Sequence, residues 1–500
     1  MMTASPLPHK RILLVFFLLV TVTVYGNTFF NQWTYDDIPV VLKNPDAHSL
    51  AGFARNTMPG RPMRELTYIP DHLLFGDQPA GYRIQQLAWH GVNGLLLVTL
   101  FHALGVELPF ALMGALLFLV HPLQSESVAG IAHRKELLAL FFALGAALCF
   151  VGSFAAAGGR RLALWLAALA AYGGALLANE ATVTLPLVAL LYEWLMVEPG
   201  KRVLLRRPFV AFLFLVAAGA ALMYRFRGLL APEHLLTVYS KNSFGASESY
   251  LPLFMGAMKA FGFYLSKIVL PVRLAPEYVF RLSESLWQPW ALLSLGLLAA
   301  VASAAVFLRR RLPLVSFGIG WFLIFWLPVS NLVPVAYLAA DRYMYLCLPG
   351  VGLVLAGCLQ RWPHRRFVGA SCLVIVVFAG LTVIQNGYWR SEHTLWRHAV
   401  TVNPDSTWVR ETVGLSYLLT GDYNQAAAQA REALRIDRFN IRAYLTLAKA
   451  EERRGNLAEA VLNYEMFAMF GAMEYPDEAA EVRLYLPVLR QRQAVQKQHQ

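Results

Sequence analysis

The sequence predicts an all-α chain: a polytopic helical membrane domain followed by a short helical-repeat tail. Three observations lead there. Apolar runs of about 18 or more residues recur over the first four-fifths of the chain, each long enough to cross a hydrocarbon layer about 30 Å thick. Hydrophobic residues make up 57% of the 500 and charged residues 15%, against roughly 25% charge in a soluble domain. From Ser391 onward the composition turns polar and Ala-rich, and a fixed period appears. The short alternating segments of a transmembrane barrel are not seen.

The first run, Ile12 to Phe30, follows His9, Lys10 and Arg11. It is long for a signal peptide and has no clear small-residue cleavage site, so it reads as a retained span. With Lys10 and Arg11 inside, residues 31–81 form a long external loop. A second span over Tyr82 to Leu104 returns inward, a third exits at His121-Pro122, and a fourth re-enters from Arg134. The basic stretches "GGRR" at Gly158 and "KRVLLRR" at Lys201 then fall on the inner face, as the positive-inside rule requires. A fifth span ends outside at Asn179-Glu180, and a seventh exits near Tyr224. Tyr250 to Leu270 looks like an eighth. If it crossed, Arg309, Arg310 and Arg311 would face outward, so it is read as re-entrant or interfacial, which suits Lys259 and Lys267. About eleven spans result, the last over Phe367 to Gln385, and everything beyond Asn386 lies outside with the first loop. The net charge of +12 belongs to these inner-face clusters and is no argument for nucleic acid. The four cysteines, Cys149, Cys347, Cys358 and Cys372, all sit in apolar segments, so no loop disulfide is available.

The tail keeps a 34-residue register. Gly421 pairs with Gly455, Ala426 with Ala460, Ala430 with Tyr464 and Ala399 with Ala433, and Pro404 falls where a repeat would end. Tetratricopeptide repeats have this period, with a glycine at the inter-helix turn and small residues where paired helices meet. About two repeats and a half are present. They either cap the membrane domain or present a groove to a protein or peptide.

Several external pieces follow one another in a distinctive order: "YDDIPVVLKNPD", "GRPMRELTYIPDHLLFGDQPAGYRIQQLAWHGVN", "LLFLVHPLQSESVAGIAHRKELLALFFAL", "LANEATVTLPLVALLYEW", "ADRYMYL", then the repeats. This order resembles the transmembrane and tetratricopeptide repeat-containing proteins and their bacterial relatives, within the C-type glycosyltransferase superfamily. The resemblance covers most of the chain. It departs from the pattern at Asn179, where the family usually has Lys, and in the shorter repeat array. It implies a membrane glycosyltransferase domain over residues 1–386 and an extracytoplasmic repeat domain over 387–500. The implied reaction moves a sugar, with the inversion that the superfamily resemblance implies, from a polyprenyl-phosphate donor to a protein or glycan hydroxyl outside the cytoplasm. The implied setting is a bacterial inner membrane with periplasmic repeats, or an ER membrane with lumenal repeats in a eukaryote.

The resemblance also gives Asp36-Asp37 a role, since this superfamily carries an acidic motif in its first external loop. A hydroxyl acceptor needs a base as the anomeric carbon becomes electrophilic. Of the two, Asp37 is slightly preferred. A solvated loop is the plainer account of the pair. The leaving phosphate needs cations, and the external Arg61, Arg64, Arg134, Lys135 and Arg342 are candidates. Snorkelling to headgroups is the alternative for each. His121, Glu126 and Glu180 stand at external span ends as supporting residues. A metal at His121 and Glu126 lacks any ligand spacing such as paired His at i, i+4, and no cofactor is expected. Two other readings stay open: an oligosaccharyltransferase or O-antigen-ligase-like enzyme with a lipid-pyrophosphate donor, and a non-enzymatic scaffold presenting its repeats.

Overall fold

The computed structural model describes residues 9–56, 60–206, 219, 250–280, 288–332, 335 and 337–498. Among them all regular structure is helical, and the chain divides into two compact units, residues 1–390 and 391–500.

The first unit is an integral membrane protein, but among the described residues fewer helices are long and apolar enough to cross than the apolar runs suggest. Five helices among the described residues are long and apolar enough to cross: Lys10–Phe30, Ile131–Ser153, Gly158–Ala178, Pro289–Arg310 and Arg365–Tyr388. Leu108–Val120 and Pro122–Ala129, bent by 52°, make a sixth if they form one span. Among the described residues the count of about eleven is therefore not reached, for two physical reasons. The helix Pro79–Ala103 is long, yet it buries Arg83, Gln86, His90 and Asn93 against its neighbours, which lowers its hydropathy. Other apolar runs fold into short helices, Leu185–Met196, Pro313–Trp326 and Leu348–Arg361. The seventh span lies outside the described residues.

Tyr250–Val269 is one unbroken 20-residue helix, so a re-entrant hairpin there is excluded. Its buried face carries Met255, Met258, Phe261 and Tyr264, and the carbonyl of Ile268 near its end meets His121 Nε2 at 3.0 Å.

The long first loop, residues 31–81, is stapled down by buried arginines. Arg83, fully buried, donates to the carbonyls of Ala129, Asn31 and Gln32. Arg134 is also fully buried. It pairs with Asp71 at 2.7 Å, donates to Gln86, Thr67 and Tyr82, and lies 4.6 Å over the Tyr68 ring. Arg suits this task because its five donors serve several acceptors at once. These bonds fix the loop, and hence Asp36 and Arg61, against the turn at 125–133.

The second unit is a run of helices, Glu392–Val402, Thr407–Thr420, Tyr423–Ile436, Ile441–Arg453, Leu457–Phe470 and Pro476–Gln498, each packed on the next. Side-chain caps start several of them: Ser391, Ser406, Asp422 and Asn440 each accept a backbone N–H of the first turn. Ala426, Ala430, Ala433 and Ala460 are fully buried, and their small side chains let helix axes approach. Gly421 and Gly455 both follow helix ends with φ of +86° and +83°, a conformation that costs a residue with a Cβ roughly 1–2 kcal/mol. Gly455→Val should therefore lower stability by about that much while leaving helix content unchanged. Denaturant unfolding of the purified protein followed by circular dichroism checks it, and an unchanged midpoint would remove the conformational account of this glycine.

Candidate active site

The 3-10 turn Glu180–Thr184, the start of the helix Arg134–Ser153, the turn Asp341–Met344 and Arg61 of the first loop converge on one cavity of about 250 Å³. Its polar lining is Arg61, Lys135, Glu136, Asn179, Glu180 and Arg342, with Tyr337 and Tyr343 beside them, and its apolar wall includes Phe325 and Leu346. Four residues singled out in the sequence thus meet here: Arg61, Lys135, Glu180 and Arg342.

Each cation is held by a carboxylate. Arg61 caps the helix Pro62–Phe75, its own N–H bonded to Glu65. Its guanidinium forks onto Glu180, Nε at 3.3 Å and Nη2 at 2.6 Å. Burial alone would push Glu180 up, but Arg61 and Lys135 overturn this and hold it down at about 2. Glu180 is therefore an anion throughout the physiological range. Lys135 Nζ lies 3.3 Å from Glu136. Asn179 bonds Glu136 through its amide, and its Oδ1 accepts the N–H of Ala181 at 2.9 Å. Asn179 thus opens the turn that presents Glu180. Arg342 donates its backbone N–H to Glu126 Oε2 at 2.7 Å and its Nη1 to Glu126 Oε1. Its guanidinium also lies over the rings of Tyr337 and Tyr343, at 4.9 and 5.5 Å.

The acid pair is split. Asp37 is buried, and its Oδ1 accepts the Ala132 N–H at 2.8 Å. Burial pushes its carboxyl up to about 7, against the opposing pull of Arg83 and the Ala132 N–H. Asp36 is half-buried and makes no side-chain hydrogen bond or ion pair among the described residues. It is close enough to Arg342, Tyr35, Tyr337 and Glu126 to be felt electrostatically by each. Tyr35, just before it, adopts φ +53°, a strained conformation for a bulky residue, and its hydroxyl donates to Tyr337 Oη at 3.0 Å. The two neighbouring carboxylates thus have different surroundings, Asp37 buried on the Ala132 N–H and Asp36 half-buried.

The remaining sequence candidates lie elsewhere. Arg64 is buried, pairs with Glu65 at 2.7 Å and reaches the Ala132 carbonyl. Arg134 is committed to Asp71. His121 uses both ring nitrogens, one toward Ile268 O and one accepting from Leu123 N. Glu126 acts from behind, as the clamp of Arg342. Sequence reasoning missed Tyr35, Tyr337, Tyr343 and Glu136. Tyr35 and Tyr343 sit inside quoted motifs, "TYDD" and "ADRYMYL", but an aromatic there carries no signal of its own. Among the described residues no group of three or more His, Cys, Asp or Glu could hold a metal ion.

No family model matches the chain. Protein O-mannosyl-transferase TMTC4 of Mus musculus is 25% identical over 494 residues, covering 82% of this chain and 64% of that one. Protein O-mannosyl-transferase Tmtc3 of Drosophila melanogaster is 23% identical over 551 residues, 92% of this chain and 59% of that one. The chain spans about six-tenths of the length of these relatives. Among solved structures, the crystal structure of ArnT from Cupriavidus metallidurans bound to undecaprenyl phosphate aligns over 91% of this chain and 80% of that one, with a TM-score of 0.40 and 16% identity. The resemblance carried by the motifs is thereby met in the curated sequences: the relatives of this chain are the transmembrane and tetratricopeptide repeat-containing protein O-mannosyl-transferases.

Proposed function

We propose that this chain is a membrane glycosyltransferase that moves a sugar from a polyprenyl-phosphate donor to a hydroxyl of a protein or glycan acceptor on the extracytoplasmic face. One observation carries the reading: three cations, Arg61, Lys135 and Arg342, line one cavity, and the unbonded carboxylate of Asp36, outside that lining, is close enough to Arg342 to act on it electrostatically. In this reading Asp36 takes the acceptor's hydroxyl proton as its oxygen bonds the anomeric carbon. The bond from that carbon to the phosphate oxygen breaks on the opposite side, which inverts the centre. The leaving phosphate gains charge, and preorganised cations stabilise that gain. Because each cation already faces a carboxylate, the site is strongest for a dianionic leaving group that outcompetes those partners.

The names of the relatives support a protein acceptor and mannose as the sugar, and the 34-residue register supports tetratricopeptide repeats over 387–500 as the acceptor-binding part. The setting in this reading is a bacterial inner membrane with the repeats in the periplasm, or an ER membrane with lumenal repeats. Purified protein given radiolabelled polyprenyl-phosphate mannose and envelope protein should yield labelled protein and free polyprenyl monophosphate. Transfer only from a lipid pyrophosphate would instead identify the ligase-like alternative. No transfer from either donor would leave a scaffold.

The side of the repeats has its own test. Asp422→Cys, in a chain whose four native cysteines are replaced, should react with an impermeant thiol reagent on intact cells. Labelling only after the membrane is opened would place the repeats in the cytoplasm.

A further inference from the structure

We infer that a crevice at the far end of the first unit, between the helices Leu348–Arg361 and Arg365–Tyr388, is a binding site for an anionic phospholipid, separate from the sugar-transfer cavity. The helix Leu348–Arg361 links the two places: Leu346, just before it, lines the cavity, and Arg361 ends it, about 20 Å away at 1.5 Å per residue.

The crevice follows from how the two helices pack. Leu348–Arg361 lies on Leu108–Val120 and on Pro313–Trp326, and Arg365–Tyr388 also lies on Leu108–Val120, but the two consecutive helices scarcely meet. The space left open is about 610 Å³, within the roughly 300–1,000 Å³ range of small-molecule sites. Its floor is Leu117, and its walls include Leu355, Cys358, Leu359, Ala370 and Val374. Apart from the Ser371 hydroxyl, which is turned back to the Phe367 carbonyl at 2.9 Å, the lining is apolar. A slot of that kind takes an acyl chain.

The mouth selects the head. Trp362 and Phe367 line it and are 52% and 60% exposed, as aromatics at headgroup level are. Around them stand Arg361, Arg365 and Arg366, all exposed. Among the described residues none of these guanidinium groups has an ion pair or hydrogen bond, in contrast to Arg61, Arg134 and Arg342 in the interior. The helix Arg365–Tyr388 also begins here, with its positive end at the mouth. The positive-inside rule accounts for basic residues at a span end. It does not account for an apolar slot lined by Trp362 and Phe367, the chain neighbours of the unpaired Arg361 and Arg366. Basic pockets between membrane helices hold anionic lipid heads, and charge complementarity therefore names the occupant.

Native mass spectrometry of the detergent-purified full chain tests this, with phosphatidylglycerol and phosphatidylcholine in competition. The wild-type chain should retain phosphatidylglycerol several-fold over phosphatidylcholine. The triple variant R361Q/R365Q/R366Q should lose that preference. Ala370→Trp or Val374→Trp, at exposed positions that tolerate bulk, should lose it by filling the slot while leaving the arginines in place. Loss in both kinds of variant supports the site. An equal hold on both lipids in the wild type, or a preference that survives either the arginine variant or both slot variants, overturns it. Circular dichroism and gel filtration confirm that each variant is folded. The outcome does not depend on the transfer assay, so failure of one reading leaves the other standing.

Discussion

Asp36→Asn should lower turnover by roughly 10²–10⁴-fold, the usual worth of a general base, with donor binding and folding retained. Asp37→Asn should leave turnover close to wild type. The contrast follows from surroundings, not from residue type. Asp36 has a carboxylate with no hydrogen bond among the described residues and within electrostatic reach of Arg342, which lines the cavity, whereas Asp37 is sealed in and its Oδ1 is occupied by the Ala132 N–H. An Asn at 37 keeps an oxygen for that N–H and carries no charge to desolvate. The assay is single-turnover transfer of labelled sugar in detergent, with donor affinity measured separately. If Asp36→Asn retains wild-type turnover, Asp36 is a loop acid and the proposed mechanism fails.

Asp37 makes a second mark, in stability. Its folded value of about 7 lies above the unfolded value of about 3.9, so the folded state binds the extra proton. Between those two values, raising the pH ionises the unfolded chain first and destabilises the fold. The penalty is absent below about pH 4 and complete above about 7. Thermal unfolding of the wild type should therefore show a slope through this window that Asp37→Asn removes.

How far the site was legible differs residue by residue. Arg61, Lys135, Glu180 and Arg342 were accessible because a charge beside an apolar run must be excused by water, a partner or a cavity. That same rule flagged Arg64, Arg134 and His121, whose excuse turned out to be burial against Glu65, Asp71 and two backbone groups. Nothing in linear sequence separates the two cases. The partners lie distant in the chain: Arg342 and Glu126 are 216 residues apart. The split of the acid pair was equally hidden, because Asp37 is buried on the N–H of Ala132, 95 residues further along the chain. The all-helical character was plain from composition. The span count was not, since hydropathy sees an apolar run but not whether a bend, as at His121-Pro122, or a row of buried amides and a histidine, as on Pro79–Ala103, breaks its passage. In the tail the turns were readable from Gly421 and Gly455, where a positive φ leaves glycine as the natural choice.

Arg342→Lys should cost about 10–100-fold in kcat/KM for the donor, because the hydrogen bonds of a charged group are worth roughly 1.5–3 kcal/mol and a lysine ammonium cannot reproduce a planar fork. The expected effect is more than the loss of one contact. Arg342 spends Nη1 on Glu126 and lays its plane over Tyr337 and Tyr343, which leaves its remaining donors directed by packing, not by flexibility. A lysine keeps the charge and the backbone bond to Glu126 Oε2 but has no plane to stack, so its head would wander in the cavity. Glu126→Gln is the matching variant. It retains a side-chain oxygen for Arg342 but removes the charge that balances a buried guanidinium, a change that costs about 3–5 kcal/mol when a buried pair is broken outright. That variant should reduce thermal stability as well as transfer, while Arg342→Lys should mainly raise the donor KM and lower kcat. Steady-state kinetics over donor concentration, read beside thermal unfolding of each variant, separate the two effects. If Arg342→Lys matches wild type at limiting donor and only the melting temperature moves, Arg342 serves the fold through Glu126, and the phosphate must be held by Arg61 and Lys135 alone.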